Sequence, residues 1–458
     1  MNTLKDLQQT TGGLARGEAA GARTARLGPV VADSRQVEPG SVFWALKGQR
    51  HDGADFAEEA FQRGAAGVVA SRAVDTPEGR WSLVVEDSQK ALWQWAAWVR
   101  RQFTGMVIAV TGTVGKTTTR QMIHTALKTR LAGTASPRNY NNQIGLPLSI
   151  LRIEPEHDYA VLELAAAGEG EIARLAALAA PTIGVITHLS DAHLGTSGSR
   201  GKIAEAELLA ALPPDGYAVV GDDPWLRHLI ARSPAKATCV GLSAGCGVMA
   251  CDVRSRGGTL EFRVNDCEFS VPVWGRHHLT AALATVAVGR NMGFELEEIA
   301  EALRHYEPVP MRCEVIEVRG ATIINDVRNA SPTTMEAVLE LLRDFDTPGR
   351  RIMVCGDMKE LGDEAAPQHH RLGSQAVTLG GVDLLLACGQ YARYVVGGAR
   401  AAGMPRMRSI AVRTVEETLP YLGQAILPGD VVLVTGARSL ELQRVVEALH
   451  RYPLRRGA

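Results

Sequence analysis

The segment from Val107 to Thr119 constrains the fold of this 458-residue chain more than any other. It begins with four apolar residues, which predict a buried strand, and continues through small residues from Thr111 to Gly115, which predict a tight loop. A helix then begins at Lys116, so that its free backbone N–H groups and the positive end of its dipole point towards the loop. A strand, a glycine-rich loop and a helix in this order are typical of a P-loop, and we therefore predict that the chain binds ATP or GTP with Mg²⁺.

The residue types of the loop suit this chemistry. Its backbone N–H groups can surround a phosphate, the ammonium group of Lys116 can reach the terminal phosphates, and the hydroxyl group of Thr117 can bind Mg²⁺. The full P-loop pattern has a further glycine where this chain has Val110, so the loop is the shorter Gly-x-x-Gly-Lys-Thr form. A glycine-rich turn without a ligand is the alternative. The predicted nucleotide-binding residues of this segment are Gly112, Thr113, Val114, Gly115, Lys116, Thr117 and Thr118.

The composition indicates a soluble protein of several domains. Hydrophobic residues make up 46% of the chain, and 49 basic residues are balanced by 50 acidic ones, so charge does not favour nucleic acid or an anionic membrane as a partner. No apolar run is long enough to cross a bilayer, and the first residues lack the apolar segment of a signal peptide, so we expect a cytoplasmic protein. The seven cysteines include no Cys-x-x-Cys pair, which argues against a disulfide framework or a structural zinc site. We expect Cys246 and Cys251, which lie close together in a glycine-rich stretch, to be reduced and buried.

The order of predicted elements divides the chain into three α/β domains, residues 1–103, 104–309 and 310–458. Apolar strands alternate with helices, and in the central domain this alternation predicts a mostly parallel sheet that binds ligands at the carboxyl ends of its strands. The tryptophan-rich segment at 91–99 has apolar residues at helical spacing and predicts a packing helix. The prolines of Pro308–Pro310 predict a stiff linker between the last two domains.

Polar residues follow several of the predicted strands. Glu163 ends a strand beside the P-loop and is placed to hold Mg²⁺ directly or through water, although a solvated strand end would look the same. His193 lies in the histidine-containing stretch after the next strand, which could serve a second metal or a phosphate, or could simply be solvated. Asp326 ends a strand of the last domain and could hydrogen-bond a ribose or hold a bridging cation, with a helix-capping cluster as the alternative. The amide-rich turn from Asn139 to Asn142 either recognises a ligand or only builds a turn.

Taken together, these motifs resemble those of the Mur ligases, the ATP-dependent family that builds the peptide stem of peptidoglycan. The resemblance covers nearly the whole chain, and its most specific part is the segment at 139–148, which is characteristic of the branch that adds D-alanyl-D-alanine. The other matching segments are Asp33–Arg35, Pro39–Gly40, Phe43–Gly48 and Asp52–Gly53 in the first domain, Thr111–Thr118, Glu163, Ala192–Leu194 and Gly275–His277 in the second, and Met311–Arg312, Asn325–Asp326, Asn329, Pro332 and Gly356–Met358 in the third.

This resemblance implies a three-domain architecture with a central P-loop ATPase domain built on a parallel sheet and a Rossmann-like C-terminal domain. It implies ATP and two Mg²⁺ ions as cofactors, and UDP-N-acetylmuramoyl-tripeptide and D-alanyl-D-alanine as substrates of a monomeric enzyme. The terminal carboxylate of the tripeptide would attack the γ-phosphate of ATP, and the amine of D-alanyl-D-alanine would then displace phosphate from the acyl phosphate to form an amide. Two alternatives are a non-catalytic paralogue that binds nucleotide or UDP-sugar and a sister ligase with another acceptor.

The resemblance also implies roles for individual residues. Thr117 and Glu163 would hold one Mg²⁺ and His193 the other, while Arg312 and Asp326 would close over the nucleotide from the third domain and exclude water. The implied catalytic residues are Lys116, Asn141, His193 and Glu207, and the implied substrate-binding residues are Ser34, Arg35, Lys47, Asn139, Asn142 and Asn329.

The chain departs from the family pattern at several positions. Val114 stands where the phosphate loop usually has asparagine, and His278 replaces an asparagine associated with adenine contacts, so we expect His278 to contact the nucleotide. The largest departure is Glu207, because relatives have a lysine there that is carbamylated and presents a carboxylate to the second Mg²⁺. We hypothesise that Glu207 is a built-in carbamate mimic, since it supplies a carboxylate without modification, whereas the nearby Lys202 faces elsewhere on a helix. The remaining departures are the residues after Glu163, Ala281, Ser331 and Thr435.

Overall fold

The computed structural model describes residues 2–17, 23–48, 50–165, 168, 170–189, 207–231, 233, 235–328 and 330–451. These residues form three sheets of five, nine and six strands, which follow one another along the chain. Helices pack against the sheets, as predicted for an α/β protein. No helix within the described ranges has the length and apolar character needed to cross a membrane.

The N-terminal sheet is mixed. Its strands are β1 (Leu14–Arg16), β2 (Val30–Val31), β3 (Val42–Trp44), β4 (Gly67–Ala70) and β5 (Trp81–Val84), and its helices are α1 (Leu4–Thr11), α2 (Ala57–Gln62) and α3 (Ser88–Gln102). The strand order is β1-β5-β4-β3-β2, with β2 to β5 parallel and β1 antiparallel to β5. Leu92 and Trp95 of α3 are buried, which confirms that the tryptophan-rich segment forms a packing helix.

The central sheet carries the P-loop segment. Its strands are β6 (Met106–Thr111), β7 (Gly133–Ala135), β8 (Tyr159–Glu163), β9 (Ile183–Ile186), β10 (Tyr217–Gly221), β11 (Lys236–Gly241), β12 (Val248–Arg256), β13 (Thr259–Val264) and β14 (Cys267–Val271). The strand order is β14-β13-β12-β11-β10-β9-β6-β8-β7, and the part from β11 to β7 is parallel, as predicted. Strand β12 pairs with β11 in parallel, and the antiparallel pairs β12–β13 and β13–β14 then extend the sheet in a way that the alternation of strands and helices did not indicate.

Helices cover both faces of the parallel part of this sheet. They are α4 (Lys116–Leu127), α5 (Gly145–Ile150), α6 (Glu171–Ala179), α7 (Pro224–Ile230), α8 (Leu279–Asn291) and α9 (Leu296–Arg304). Ile108 and Val110 of β6 pack with α4 and α8, whereas Val107 and Ala109 pack on the opposite face with α3 and α6. A strand that is buried on both faces needs apolar residues throughout, which explains the continuous apolar run before the loop.

The C-terminal sheet is parallel except at one edge. Its strands are β15 (Glu314–Val318), β16 (Ala321–Asp326), β17 (Arg351–Cys355), β18 (Leu384–Cys388), β19 (Ser409–Val412) and β20 (Val431–Thr435), and its helices are α10 (Pro332–Asp344), α11 (Ala365–Thr378), α12 (Ala392–Ala401), α13 (Leu419–Ala425) and α14 (Gln443–Arg451). The strand order is β15-β16-β20-β17-β18-β19, with β15 antiparallel to β16. Ser331 caps α10 through a reciprocal pair of hydrogen bonds with Thr334.

The cysteines differ in part from expectation. All seven lie in described ranges and are free, but Cys251 is exposed and Cys246 is only half-buried, so the predicted burial of this pair is wrong. Cys251 faces solvent because it lies on β12, which belongs to the antiparallel extension. The thiol that approaches Cys246 belongs to Cys239 of β11, at an Sγ–Sγ distance of 2.9 Å.

Candidate active site

The loop between β6 and α4 adopts a shape that its glycines require. Gly112 has a φ of 129°, and a Cβ atom there would lie 2.2 Å from Oγ1 of Thr187, so a larger residue does not fit. Gly115 has a φ of 88° and forms the N-cap of α4. The N–H group of Thr113 donates to the carbonyl oxygen of His188 at 2.8 Å, which ties the loop to the segment after β9. The loop therefore lies at the carboxyl ends of neighbouring parallel strands, where a P-loop belongs.

Hydrogen bonds to main-chain carbonyl oxygens stabilise this loop. The Nζ atom of Lys116 donates to the carbonyl oxygen of Gly112 at 2.5 Å and lies 3.5 Å from that of Thr113. The hydroxyl group of Thr187 donates to the carbonyl oxygen of Val114 at 2.5 Å. The ammonium group of Lys116 thus lies over the turn that would surround a phosphate.

Glu163 is almost completely buried, with 1% of its surface exposed. It ends β8 and pairs in register with Val110 of β6, close to the start of the loop. Its Oε1 atom accepts a hydrogen bond from Nδ2 of Asn141 at 2.7 Å, whereas Oε2 has no hydrogen-bond partner in the described part of the chain. A buried carboxylate oxygen that lacks a donor is a suitable ligand for a hard cation, so the residues present here fit Mg²⁺.

Arg120 of α4 is a neighbour of Glu163 that was not predicted from the sequence. It is 3% exposed, its Nε atom lies 3.8 Å from Oε2 of Glu163, and its guanidinium group donates to the carbonyl oxygens of Ser136 and Arg138. Burial lowers the pKa of Arg120, and the charge of Glu163 opposes this shift. The available signal was its position one helical turn after Lys116, which places both cations on the same side of α4.

Further arginines approach this region from the C-terminal domain. Burial lowers the pKa of Arg328, and the positive charges of Arg312, Arg438 and Arg138 lower it further, while Glu163 opposes the shift. Since these groups are close enough to influence one another, several positive charges surround the buried carboxylate of Glu163. Such a field suits anions such as phosphates and carboxylates.

Arg312 connects the C-terminal domain to the start of α4. Its Nη2 atom donates to Oγ1 of the buried Thr117 at 3.2 Å. Asp326, at the end of β16, accepts hydrogen bonds from the N–H group of Cys313 at 3.2 Å and from Oγ1 of Thr435 at 3.4 Å. Burial raises the pKa of Asp326 to about 6, and the charge of Arg312 opposes this shift. The structure therefore brings both predicted C-terminal residues to the nucleotide side of the central sheet.

A cavity of about 270 Å³ opens beside the start of α4. Its walls include Thr118, Trp274, His278, Tyr306 and Arg312. Aromatic and apolar groups next to a P-loop suit a flat nucleobase, and His278 lines this cavity, while its contact with a nucleotide stays a prediction. Burial holds the pKa of His278 well below its usual value, and nearby positive charges lower it further.

The predicted substrate residues of the N-terminal domain share one edge of their sheet. Ser34 and Arg35 follow β2 and Lys47 follows β3, and the carboxyl ends of these parallel strands lie side by side. The hydroxyl group of Ser34 donates to Glu59 at 2.9 Å, so it also supports the fold. The guanidinium group of Arg35 pairs with both carboxylate oxygens of Asp33, and Lys47 is exposed.

The asparagines of the amide-rich turn divide into three environments. Asn141 reaches Glu163, as described above, and is thereby brought into the site. The side-chain oxygen of Asn142 accepts from two main-chain N–H groups at the start of α5, at 3.1 and 2.9 Å, and thus stabilises the turn. Asn139 is exposed.

Glu207 follows β9 in the chain, and its carboxylate contacts the N-terminus of α6. Its Oε1 atom accepts from the N–H group of Gly170 and its Oε2 atom from that of Ala173, both at 2.9 Å. These are free donors of the first helical turn, so the carboxylate caps α6. Its predicted role as a metal ligand stays a prediction, and the predicted His193 and Asn329 lie outside the described residues.

Comparison with known proteins assigns nearly the whole chain to one family. Models of the Mur ligase family catalytic domain, the Mur ligase middle domain and the Mur ligase glutamate ligase domain match residues 29–92, 110–289 and 311–438. The UDP-N-acetylmuramoyl-tripeptide--D-alanyl-D-alanine ligase of Bacillus subtilis is 33% identical over 432 residues, which are 93% of each protein. The chain belongs to the Mur ligase family. The Mur ligase of the same name from Escherichia coli is also 33% identical and covers 92% of this chain, with 94% of its own length.

Solved structures of Mur ligases share this fold. MurF from Acinetobacter baumannii matches with a TM-score of 0.84 and 29% identity over 98% of both chains. MurF from Thermotoga maritima, whose structure is a complex with ADP, matches with a TM-score of 0.77 and 30% identity over 93% of this chain and 97% of its own. The family and the three-domain α/β architecture predicted from the sequence are therefore confirmed.

Proposed function

We propose that this Mur ligase joins D-alanyl-D-alanine to UDP-N-acetylmuramoyl-tripeptide in an ATP-dependent reaction that passes through an acyl phosphate. Its relatives from Bacillus subtilis and Escherichia coli carry the name of this ligase, and the similarity extends over nearly their whole length. The observation that carries the proposal is the arrangement at Glu163, where a carboxylate oxygen without a hydrogen-bond donor among the described residues lies beside the P-loop strand and among arginines. This arrangement can hold two anionic reactants, a triphosphate and a carboxylate, next to each other.

Fixed positive charges of this chain would drive the phosphoryl transfer. Lys116 lies over the loop, and Arg120 and Arg312 flank it from the helix and from the C-terminal domain. Because negative charge spreads over the transferring phosphoryl oxygens, cations that are already in position stabilise the transition state. Burial of Arg120 and Thr117 keeps water away from an acyl phosphate that it would hydrolyse.

The chain also offers ligands for Mg²⁺. Glu163 would hold the ion with Oε2, which accepts no hydrogen bond within the described ranges, and Thr117 would contribute its hydroxyl group. When bound, Mg²⁺ neutralises charge on the triphosphate. For a second ion we propose His193 and Glu207, since the carboxylate of Glu207 is held in a fixed orientation by two main-chain N–H groups.

Glu207→Lys tests whether Glu207 takes the place of a carbamylated lysine. A lysine here would need bicarbonate-derived carbon dioxide to regain a carboxylate, so we expect this variant to be stimulated by bicarbonate while the natural chain is not. Phosphate release with and without bicarbonate measures the effect. If bicarbonate leaves the variant unchanged, Glu207 is not a carbamate mimic.

The proposed functional units are residues 1–103, 104–309 and 310–458, acting as a cytoplasmic monomer. The uridine nucleotide would bind at the edge formed by Arg35 and Lys47. ATP would bind at the P-loop and the cavity beside α4. The peptide would approach Glu163 past the turn that contains Asn141.

Phosphate release from ATP tests the proposal. We expect turnover only when UDP-N-acetylmuramoyl-tripeptide and D-alanyl-D-alanine are both present, and we expect the product to gain the mass of the dipeptide. A mixture without D-alanyl-D-alanine and a Lys116→Ala variant serve as controls. Nucleotide binding without any turnover would support a non-catalytic paralogue, and turnover with a different amino acid would support a sister ligase.

A further inference from the structure

Three potential metal ligands, His277, His278 and Cys313, meet between the central and C-terminal domains, and Asp326 lies beside Cys313. His277 and His278 precede α8, Cys313 precedes β15, and Asp326 ends β16. The Nε2 atom of His277 lies 3.6 Å from Sγ of Cys313, and Sγ lies 3.9 Å from Oδ1 of Asp326. One ligand atom from each histidine and the sulfur atom all lie within 4.8 Å of one another.

These separations suit a tetrahedral metal ion. Zinc bonds to nitrogen and sulfur place neighbouring ligand atoms about 3.3–3.8 Å apart, so small side-chain adjustments would complete the geometry. Imidazole and thiolate groups together favour zinc and similar ions over Mg²⁺. A thiolate and a carboxylate would also supply two negative charges, which balance a divalent ion.

The ring nitrogens of the two histidines lie close to the sulfur atom. The Nε2 atom of His277 contacts Sγ of Cys313 at 3.6 Å, and a ring nitrogen of His278 belongs to the same group of atoms. Arg312 precedes Cys313 in the chain, and its Nη2 atom donates to Oγ1 of Thr117 and not to the sulfur atom. One ion could therefore contact the thiol and both rings.

A second group of thiols provides an informative contrast. Cys239, Cys246 and Asp222 also lie within ligand distance of one another. The guanidinium group of Arg227, however, donates to Sγ of Cys246 at 3.2 Å and pairs with Asp222 at 2.7 Å. A cation already occupies the space between these groups, so they are a poorer metal site than the cluster at His277.

The cluster at His277 is open to the proposed nucleotide site. His278 and Cys313 line the cavity of about 270 Å³ together with Thr118 and Arg312. An ion can therefore enter through this cavity. Once bound, it would link residues of two domains and narrow the space proposed for the nucleobase.

We propose that His277, His278 and Cys313, with Asp326 beside the thiol, form an inhibitory site for a thiophilic divalent cation such as Zn²⁺. It is separate from the Mg²⁺ ligands proposed at Thr117 and Glu163. The inhibitory effect rests on the proposed ligase function, whereas the binding site itself does not. Metal binding and ligase turnover are therefore measured separately.

Cobalt(II) is the probe for binding, because a cobalt–thiolate bond absorbs strongly in the near ultraviolet. The parent protein is the full chain with Cys239→Ser and Cys246→Ser, which removes the second thiol group. We expect this parent to bind one Co²⁺ with a thiolate absorption band that Zn²⁺ displaces. We expect Cys313→Ser in the parent to abolish the band and to weaken Zn²⁺ binding about tenfold or more, whereas Cys251→Ser, at an exposed thiol, keeps both.

The parent protein alone can refute the metal site, even if Cys313→Ser does not fold. A parent without a thiolate band, or a band of equal strength in Cys313→Ser, overturns the site. A band that depends on Cys313 supports the site even in a protein without ligase turnover, a result that would reject only the proposed function. In an active ligase we expect micromolar Zn²⁺ to inhibit phosphate release in the parent and Cys313→Ser to need about tenfold more Zn²⁺ or higher. Equal inhibition of both proteins overturns the inhibitory role.

Discussion

The central domain contains two carboxylates whose oxygens have different partners. Glu163 ends β8, and Glu207 contacts the N-terminus of α6 through its side chain. The Oε2 atom of Glu163 has no hydrogen-bond donor among the residues described and lies 3.8 Å from Nε of Arg120. Both oxygens of Glu207 accept main-chain N–H groups at 2.9 Å. Glu163 therefore has an oxygen left for a cation, whereas Glu207 is first a helix cap.

The difference shows that a carboxylate in this site cannot be assigned a role from its residue type. A buried charge needs compensation from an opposite charge or from hydrogen bonds. At Glu163 that compensation comes from Arg120 and, in our proposal, from Mg²⁺. At Glu207 it comes from the free donors of a helix end.

Arg120→Met gives the largest effect on stability that this comparison predicts. It leaves the carboxylate of Glu163 buried without its nearest cation, so we expect the free energy of unfolding to fall by about 3–5 kcal/mol. Urea denaturation measures the loss. Adding Glu163→Gln should restore part of it, because the uncompensated charge is then removed.

Arg304→Met is the matched control for this prediction. Arg304 pairs with Glu301 at 3.0 Å, but both side chains are more than half exposed, at 59% and 58%. We expect a loss of less than about 1 kcal/mol. Equal losses for the buried and the exposed arginine would show that Glu163 does not depend on Arg120.

Glu163→Gln gives the largest predicted effect on turnover. Glutamine keeps the acceptor for Asn141 but removes the charge that would bind Mg²⁺, so we expect kcat to fall about 10²–10³-fold. Phosphate release at saturating Mg²⁺ measures the change, with Glu301→Gln on the exposed face of α9 as the control. A decrease of less than about tenfold would contradict the metal role of Glu163.

We expect Glu207→Gln to lower both the stability and the activity of the protein moderately. Glutamine removes the negative charge at the helix N-terminus, and its NH₂ group would face one of the two main-chain N–H donors. We therefore expect the free energy of unfolding to fall by about 1–2 kcal/mol. We expect kcat to fall about tenfold, less than for Glu163→Gln, because two N–H groups already share the charge of Glu207. An equal decrease of kcat in both variants would remove the distinction between the two carboxylates.

Much of the fold could be predicted because its signals are local. The apolar run of β6 and the glycines after it are contiguous, and their periodicity alone indicates a buried parallel strand followed by a phosphate loop. The antiparallel strands β12 to β14 escaped prediction. In β12 buried and exposed residues alternate irregularly, and the register shifts between Cys251 and Arg254, so no period-two pattern marks this strand. In β13 every second residue is buried, so its signal was present in the sequence and was missed.

The chemistry of the site was only partly predictable for a related reason. Lys116 and Thr117 belong to one motif, and Glu163 is marked by its place at a strand end. Arg120 and Arg328 act on Glu163 because three segments fold together, and no spacing along the chain records that meeting. The cap that Glu207 provides for α6 depends in the same way on contacts between distant residues, since Gly170 and Ala173 precede Glu207 by 37 and 34 residues.

The smallest predicted effect concerns the start of β8, the strand that ends in Glu163. His124 of α4 contacts the hydroxyl group of Tyr159 through Nδ1 at 2.9 Å, and burial, followed by nearby positive charges, lowers the pKa of His124 to about 4. Because the unfolded chain takes up a proton near pH 6.5 and the folded chain only near pH 4, the contribution of His124 to stability is lost as the pH falls through this range.

Urea midpoints measured between pH 7.5 and 4.5 should therefore decrease less for His124→Gln than for the natural chain. His305→Gln, at a histidine whose side chain is 74% exposed, serves as the control and should follow the natural chain. If His124→Gln loses stability on acidification as steeply as the natural chain, burial of His124 is not the source of this acid sensitivity. The position of Glu163 depends in either case on the pairing of β8 with its neighbours and on contacts with Ser136, Asn141 and Arg120, whereas Glu207 is held by main-chain donors of a helix end.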